Sequence, residues 1–445
     1  MHRRIGSGLV FALPCLATGA FAQSSRAHVQ PYTPSLSLDW SARYDHGISG
    51  HDNATCVAID THGRTIACGS SLGHVGSSFV YEITTLSYSN AGSLLWERRL
   101  HGNGSGFNDT PVAVAIGPQD SVFVLGTVAG GGSDQDVALL KYDSAGNLQW
   151  STTWNHYWSD GCSDLVVTPA GEVYVAASSY YTTNVTDVVM LKFDALGALV
   201  WEQNWHGGGG TDYPLDIQLD SQGNIALLGQ TITAPIGTNY DWLIQKWSPN
   251  GVVLWTQRAG SAGTAPDYAS ALVLAPNDDI LVTGHDFVAG QEFGKTQRYT
   301  TNGTLLWSRT LAPGLSGGDA ITCDATGNVY EVTGPSVISY DPAGNLRWNV
   351  PFAGSGWASP VALDVRMLGA HLAVGGTTSF SAGQLAAAVY DLAGNVVATR
   401  SAGAPFTVGA ITRCLATRPN GRLCLIGQSS NGHDQDFVTA AFTLN

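Results

Sequence analysis

The feature that most constrains the fold is a repeated segment that closes on a tryptophan. One copy reads DSAGNLQW at residues 143–150, and another reads DPAGNLRW at residues 341–348. Successive closing positions are 41 to 56 residues apart. They are Trp40, Trp96, Trp150, Trp201, Trp255, Trp307, Trp348 and, without the tryptophan, Ala398. Repetition at this period indicates a repeat architecture and must be interpreted before any local motif.

Each repeat has the internal order of four short strands joined by turns. In residues 212–255, two apolar segments flank the turn SQGN, and two more flank the turn SPNG. Gly and Asn occupy the turn positions that require positive φ. About 50 residues accommodate four short strands with their turns, which is one blade of a β-propeller. No segment sustains a helical period, so the chain is predicted to be all-β.

The strand count predicts eight four-stranded blades closed by the N-terminal strand. Eight segments have the pattern of a first strand, but only seven closing segments follow them. The last repeat ends after three strands at residues 436–445, whereas residues 35–44 contain Trp40 with no strands before it. This N-terminal segment is expected to complete the last blade, which removes the exposed edge of an open sheet. Seven blades is the alternative if the short repeat 311–348 does not form a blade.

Residues 1–22 have the features of a secretory signal peptide. Arg3 and Arg4 precede an apolar stretch, and Ala20-Phe21-Ala22 is an A-x-A cleavage site. Residues 23–34 are then a short leader and residues 35–445 a single propeller domain. A secreted or periplasmic location is expected. No membrane span is expected, because no later stretch reaches about 18 consecutive apolar residues.

The charge balance limits the partners. After removal of the predicted signal peptide, 18 basic and 34 acidic residues give a formal net charge of −16. Nucleic acids and anionic membranes require a basic surface, so neither is expected as a partner. A protein or a glycan is therefore the expected partner.

Four of the six cysteines that follow the signal peptide could form disulfides, which export permits. Cys56 and Cys68 are equidistant from His62 in the turn DTHGR, so they are predicted to face each other across a hairpin. Cys414 and Cys424 flank the turn TRPNG with an offset of about one residue pair. The alternative is that these side chains are buried thiols.

Most of the conspicuous residues recur with the repeat, which favours structural roles. The tryptophans are expected to pack between adjacent blades. The aspartates before first strands are expected to accept backbone N–H groups and fix turns. They are Asp52, Asp109, Asp160, Asp212 and Asp267. Because a catalytic residue is needed once rather than in most blades, no catalytic residue is assigned.

Motif searches give no cofactor or metal ligand set. No GxSxG segment is followed by a predicted helix, as a nucleophile elbow requires, and the sequence contains no HExxH motif. Calcium is the one ion considered, at the acidic segments SDQD (133–136) and HDQD (433–436). No cofactor is otherwise expected.

Four histidines stand out because they occur in neighbouring repeats only. His46, His101, His156 and His206 follow a closing tryptophan by five or six residues. They are predicted to lie at one end of the propeller with a group of aromatic residues. These are Tyr44, Trp154, Tyr157, Trp158 and Trp205. This surface is the candidate ligand site. The alternative is that the His-Gly sequence only shapes the turn. One metal ion cannot bridge four blades, so no metal ligand is assigned.

The repeat resembles the bacterial extracellular β-propeller repeat family of the SBBP type. The matching elements are the turns AGN-L-x-W and GN-(V/I)-Y and the strand D-x-x-L-x-K-Y-D. This resemblance implies a propeller fold. The closing G-x-L-x-W is also similar, over a shorter length, to the repeats of quinoprotein dehydrogenases. That likeness implies a quinone cofactor with a vicinal disulfide, and the sequence has no adjacent cysteines.

The function expected from these observations is that of an exported, non-catalytic binding or scaffolding module for a protein or glycan. The first alternative is a propeller enzyme, a lyase or glycosidase, that acts on extracellular polysaccharide. The second alternative is a quinone- or metal-dependent oxidoreductase.

Overall fold

The computed structural model describes most of the 445-residue chain. The described residues are 34–46, 50–75, 78–104, 108–131, 134–156, 159–182, 185–207, 210–232, 240–260, 266–288, 290–312, 318–379, 383–403, 414–430 and 435–445. Pro34–Asn445 forms one compact unit. The predicted signal peptide and nearly all of the predicted leader lie outside the described residues.

The described residues form eight antiparallel sheets of four strands, arranged as the blades of a propeller. Blade 1 consists of β2 (Asn53–Ile59), β3 (Thr65–Val75), β4 (Ser78–Tyr88) and β5 (Leu94–Leu100). Blade 2 consists of β6 (Thr110–Ile116), β7 (Val122–Ala129), β8 (Gln135–Tyr142) and β9 (Leu148–Trp154). Blade 3 consists of β10 (Asp160–Val167), β11 (Val173–Thr182), β12 (Val185–Phe193) and β13 (Leu199–Trp205). Blade 4 consists of β14 (Asp212–Leu219), β15 (Ile225–Ile232), β16 (Tyr240–Trp247) and β17 (Val253–Ala259).

The second half of the chain repeats the same order. Blade 5 consists of β18 (Tyr268–Leu274), β19 (Ile280–Val288), β20 (Gln291–Tyr299) and β21 (Leu305–Thr310). Blade 6 consists of β22 (Ala320–Cys323), β23 (Val329–Thr333), β24 (Ser336–Tyr340) and β25 (Leu346–Pro351). Blade 7 consists of β26 (Val361–Leu368), β27 (His371–Thr377), β28 (Leu385–Asp391) and β29 (Val396–Ser401). Blade 8 consists of β30 (Leu415–Thr417), β31 (Arg422–Ser430), β32 (Gln435–Leu444) and the N-terminal β1 (Leu36–Tyr44).

The two ends of the chain meet in blade 8. Strand β1 pairs antiparallel with β32, from Leu36 opposite Leu444 to Tyr44 opposite Phe437. The amide of Asn445 donates to the carbonyl of Ser35 at 2.9 Å. The prediction of eight blades closed by the N-terminal strand is confirmed. The seven-blade alternative is wrong, because the short repeat forms the complete sheet of blade 6.

The only helical element in the described residues is a single 3₁₀ turn at Pro118–Asp120. This agrees with the predicted all-β fold. No helix in the described part of the chain is long and apolar enough to span a membrane.

The closing tryptophans join each blade to the next. The indole Nε1 of Trp40 in blade 8 donates to the carbonyl of Asn90, in the turn between the third and fourth strands of blade 1, at 2.9 Å. The other six make the same bond at 3.0 to 3.4 Å. Their acceptors are Ser144, Ala195, Pro249, Thr301, Pro342 and Leu392. The predicted packing of tryptophans between blades is therefore confirmed.

The missing tryptophan at Ala398 follows from the way the ring closes. A tryptophan in blade 7 would contact the turn between the third and fourth strands of blade 8. In blade 8 those strands are β32 and β1, whose adjoining ends are the C-terminus and the N-terminal segment of the domain. No turn joins β32 to β1, so the carbonyl that accepts the indole N–H elsewhere in the ring has no counterpart in blade 8.

Candidate functional site

The four predicted histidines lie at one end of the propeller but in four different junctions between blades. We call this end the connection face: fourth strands end there and first strands begin there. His46 lies between blades 8 and 1, His101 between blades 1 and 2, His156 between blades 2 and 3, and His206 between blades 3 and 4. The structure therefore distributes the histidines along an arc and does not bring them into one pocket.

Each histidine contacts a partner in its own junction. His101 Nδ1 lies 2.9 Å from Asp109 Oδ2, and His206 Nδ1 lies 2.8 Å from Asp187 Oδ1. His156 Nε2 lies 3.4 Å from a carboxylate oxygen of Glu202. His46 Nδ1 lies 3.4 Å from the hydroxyl of Tyr44.

The buried aspartates that precede first strands hold these connections in place. The acceptors Asp52, Asp109, Asp160 and Asp212 receive backbone N–H groups at 2.7 to 3.2 Å. The donors, in the same order, are His46, Gly102, His156 and Gly207. The predicted turn-fixing role of the repeated aspartates is confirmed by these contacts.

The predicted aromatic residues that the structure describes, Tyr44, Trp154 and Trp205, do not form a continuous surface. Tyr44 is buried and donates to Glu97 at 2.6 Å, and Trp154 is buried with its Nε1 2.8 Å from Glu202. The structure thus places both rings inside the protein, because blade packing covers them. Trp205 lies under the guanidinium of Arg258 at 5.8 Å. Tyr157 and Trp158 lie outside the described residues.

A different set of aromatic side chains forms a continuous row on the connection face. Ring centroids are 5.8 Å apart between Tyr213 and Tyr240, 6.1 Å between Tyr240 and Tyr268, and 6.1 Å between Tyr268 and Phe287. The hydroxyls of Tyr213 and Tyr240 are 2.7 Å apart. We call these four residues the aromatic row. It crosses the junction between blades 4 and 5, and Tyr268 is 40 % exposed.

Sequence reasoning missed the aromatic row, although a signal for it was present. Its three tyrosines each adjoin a recurrent aspartate, in the segments Asp212-Tyr213, Tyr240-Asp241 and Asp267-Tyr268. In every blade where a tyrosine adjoins one of these aspartates, the tyrosine lies at the same end of the propeller. Comparing the neighbours of these aspartates, and not only the residues after the tryptophans, would have found the row.

Carboxylates lie behind the aromatic row. Asp267 is fully buried and accepts the amide of Phe287 at 2.8 Å. Lys295 Nζ lies 2.7 Å from Asp286. Burial raises the pKa of Asp286, and the charges of Asp267 and Asp241 add to this effect while Lys295 opposes it. Burial and the hydrogen bond to Tyr240 raise the pKa of Tyr213, so its hydroxyl stays protonated.

The central channel is lined by first strands. A β-bulge in each of blades 1 to 5 directs one residue into a cavity of about 470 Å³. These residues are Thr55, Val112, Ser163, Leu215 and Ser270. Asp216 and Asp364 also line the cavity, but each accepts a backbone N–H of the next blade, from Leu272 at 3.0 Å and Leu415 at 3.2 Å. These two carboxylates connect first strands around the ring.

The six cysteines that the structure describes are thiols. Cys56 is the direct register partner of Cys68, as the hairpin predicted. Cys424 is opposite Ala416, so Cys414 is displaced from it by two residues. The larger offset disfavours a Cys414–Cys424 disulfide, while a disulfide between Cys56 and Cys68 stays a prediction.

Among the residues that the structure describes, three groups of side chains have the geometry to hold a metal ion. In each group three ligand atoms lie within 4.8 Å of one another. The groups are, first, Asp60–His62–Asp120, second, Asp45–Asp52–Asp436 and, third, Asp187–His206–Asp212.

Comparison with known proteins identifies the fold only. No family model and no curated protein sequence matches the chain. A mutant of puromycin hydrolase complexed with PGG is similar with a TM-score of 0.50 and 14 % identity over 89 % of this chain and 62 % of that one. A protein of unknown function from Dyadobacter fermentans has a TM-score of 0.45 and 8 % identity over 92 % of this chain and 99 % of that one.

At such identities the likeness concerns the fold and carries nothing about ligand or activity. The chain is an eight-bladed β-propeller. Membership of the SBBP-type family stays a prediction from the repeat motifs.

Proposed function

We propose that this protein is an exported, non-catalytic binding module and that the aromatic row contacts a neutral glycan. The observation that carries the proposal is the unbroken contact of Tyr213, Tyr240, Tyr268 and Phe287 along the connection face. Tyrosine combines an apolar ring with a polar hydroxyl. Such rings can pack against the C–H faces of sugars while their hydroxyls bond to sugar hydroxyls.

The shape of the row favours an extended polymer over a folded protein partner. The aromatic row is one ring wide and four rings long. A stable protein–protein interface buries about 800 Å² on each partner around an apolar centre. A single glycan chain matches a narrow row better than a broad protein surface does.

The charge of the protein favours a neutral ligand. The whole chain has a formal net charge of −14, and Asp241, Asp267 and Asp286 lie behind the row, where Lys295 pairs with Asp286. Anionic polysaccharides would be repelled.

The non-catalytic part of the proposal rests on the burial of two of the three acids that adjoin the row. Glycosidases need two carboxyl groups that reach the scissile bond. Asp212 and Asp267, which adjoin two of the tyrosines, are fully buried and accept backbone N–H groups. These contacts support a scaffold role for both.

The proposal is tested by binding to a panel of neutral and anionic polysaccharides. Native affinity electrophoresis should show retardation by a neutral polymer, and Tyr268→Ala should weaken binding about tenfold, as expected for the loss of one ring contact. Phe79→Ala is the matched control, because Phe79 is 60 % exposed in blade 1 and belongs to no part of the row.

Three outcomes would contradict the proposal. They are no binding to any glycan, equal binding by Tyr268→Ala and the unaltered protein, and release of reducing ends from the bound polymer. Capture of a protein partner that Tyr268→Ala abolishes would favour the protein alternative.

A further inference from the structure

Of the three groups with metal-binding geometry, two already contain a guanidinium. Arg64 pairs with Asp60 in the first group, and Arg43 pairs with Asp436 in the second. In the third group, Asp187 and Asp212 lie with His206 between blades 3 and 4. Among the described residues, no lysine or arginine forms an ion pair with either of these two carboxylates.

The comparison of equivalent positions shows why the third group differs. Arg43 and Arg99 each stand three residues after a closing tryptophan, and each pairs with an acid at the start of a third strand, Asp436 or Glu82. Asp187 is the equivalent acid in blade 3. The position three residues after Trp201 is Asn204, which carries no charge.

Asp212 supplies a second and independent observation. Its side chain is 0 % exposed, and its Oδ2 accepts the amide of Gly207 at 2.7 Å. Its Oδ1 is buried, and its contact with the hydroxyl of the cross-strand neighbour Thr231 lacks normal hydrogen-bond geometry. A buried acceptor without a well-placed donor is costly.

Arg258 is the arginine beside this group. Its guanidinium donates to the carbonyl of Gly207 and lies over Trp205. It is therefore engaged beside the cluster and not with the carboxylates.

We infer that Asp187, His206 and Asp212 form a binding site for a divalent transition metal of the zinc class. Two carboxylates and an imidazole are a donor set that zinc accepts, whereas calcium prefers six to eight oxygen ligands. His206 is 53 % exposed, which leaves the ion an open path and room for water. The ion supplies between blades 3 and 4 the positive charge that an arginine supplies in blades 8 and 1.

The site is tested on the full chain without affinity-tag histidines. After treatment with a chelator, titration calorimetry with zinc chloride should show one bound equivalent. His206→Ala and Asp187→Asn should each weaken binding by about 100-fold, since each removes one of three ligands. Calcium chloride should bind at least tenfold more weakly than zinc in the unaltered protein.

The matched control is His101→Ala. His101 occupies the equivalent position between blades 1 and 2, where Asp109 accepts backbone amides from Gly102 and Ala129 and where Arg99 pairs with Glu82. This variant should bind zinc as the unaltered protein does. Cobalt(II) provides a second readout, because its visible absorption bands should be lost in His206→Ala and retained in His101→Ala.

The inference is overturned if the unaltered protein binds no zinc or if His206→Ala binds it with unchanged affinity. It is also overturned if His101→Ala loses as much affinity as His206→Ala does, because zinc would then bind histidines unselectively.

Discussion

The indole of Trp307 in blade 5 lies directly against Gly344 in blade 6. A Cβ atom at Gly344 would come within 2.7 Å of the indole Cδ2, and the indole Nε1 donates to the carbonyl of Pro342 at 3.0 Å. Glycine is therefore required twice at this position, once for its φ of +80° and once for the close approach of the ring. The same relation recurs around the ring and explains why the turn glycine and the tryptophan occur together in the repeat.

Trp307→Ala should destabilise the protein by about 3–5 kcal/mol, because the substitution leaves a cavity between two blades. Chemical denaturation measures the change. The control is Ala398→Trp, which places the tryptophan where blade 8 has no turn to receive it. That variant should be no more stable than the unaltered protein, because Ala398 packs against the core and the larger ring gains no acceptor, and a clear gain in stability would contradict this account of Ala398.

Gly344→Ala should cost more than Gly356→Ala, although both glycines have a φ of +80°. A Cβ atom at Gly356 would meet nothing within 4 Å, whereas one at Gly344 would meet the indole. The left-handed backbone alone costs about 1–2 kcal/mol, and displacement of the indole should add about 1–3 kcal/mol. Equal losses in thermal or chemical denaturation would show that the tryptophan contact is unimportant.

Glu331→Gln should reduce the pH dependence of stability. Glu331 is fully buried, accepts hydrogen bonds from Thr283, Thr296 and Tyr340, and has a pKa that burial raises above the ordinary 4.5. Because the unfolded chain loses this proton first, the contribution of Glu331 to stability falls as the pH rises above 4.5. Glutamine does not ionise, so the variant should not show this fall in stability.

Relative to the unaltered protein, Glu331→Gln should therefore gain stability as the pH is raised from 4.5 to 7. Denaturation curves at the two pH values measure this difference. Parallel pH profiles for the two proteins would contradict the expectation.

Oxidation should join Cys56 to Cys68 but not Cys414 to Cys424. The first two are direct register partners, and the second two are displaced by two residues. Peptide mapping of exported protein, trapped under denaturing and non-reducing conditions, should recover the first pair as one linked peptide. Reduction should then lower stability by about 3 kcal/mol, as for a loop of similar length. Recovery of Cys56 and Cys68 as alkylated thiols would contradict the expectation.

The fold was predictable to the level of blade number because each repeat contains its own strand and turn signals. The donated strand followed from counting, since eight first strands and seven closing strands leave one place to fill. The reason that alanine replaces the closing tryptophan at position 398 was not predictable in this way. That reason depends on the absence of one turn in blade 8, which only the paired ends of β1 and β32 reveal.

The candidate sites were less accessible to sequence reasoning. The histidines and the turn aspartates were placed at the correct end of the propeller, because they stand at fixed distances from the repeat tryptophans. The structure does not bring the four histidines together into one surface. Each junction pairs residues from the end of one blade with residues from the start of the next, so Asp187 meets Asp212 and Tyr240 meets Tyr268.

The amino-acid sequence alone determined the all-β class, the eight blades and the closure of the ring, because period, turn chemistry and strand alternation are properties of short segments. Only the tertiary structure decided which side chains share a surface. The curvature of the ring brings together residues that are 25 to 30 positions apart, such as Asp187 with Asp212 and Tyr240 with Tyr268. Blade packing buries other residues, such as Tyr44 and Trp154, which the spacing had placed on a surface with the four histidines.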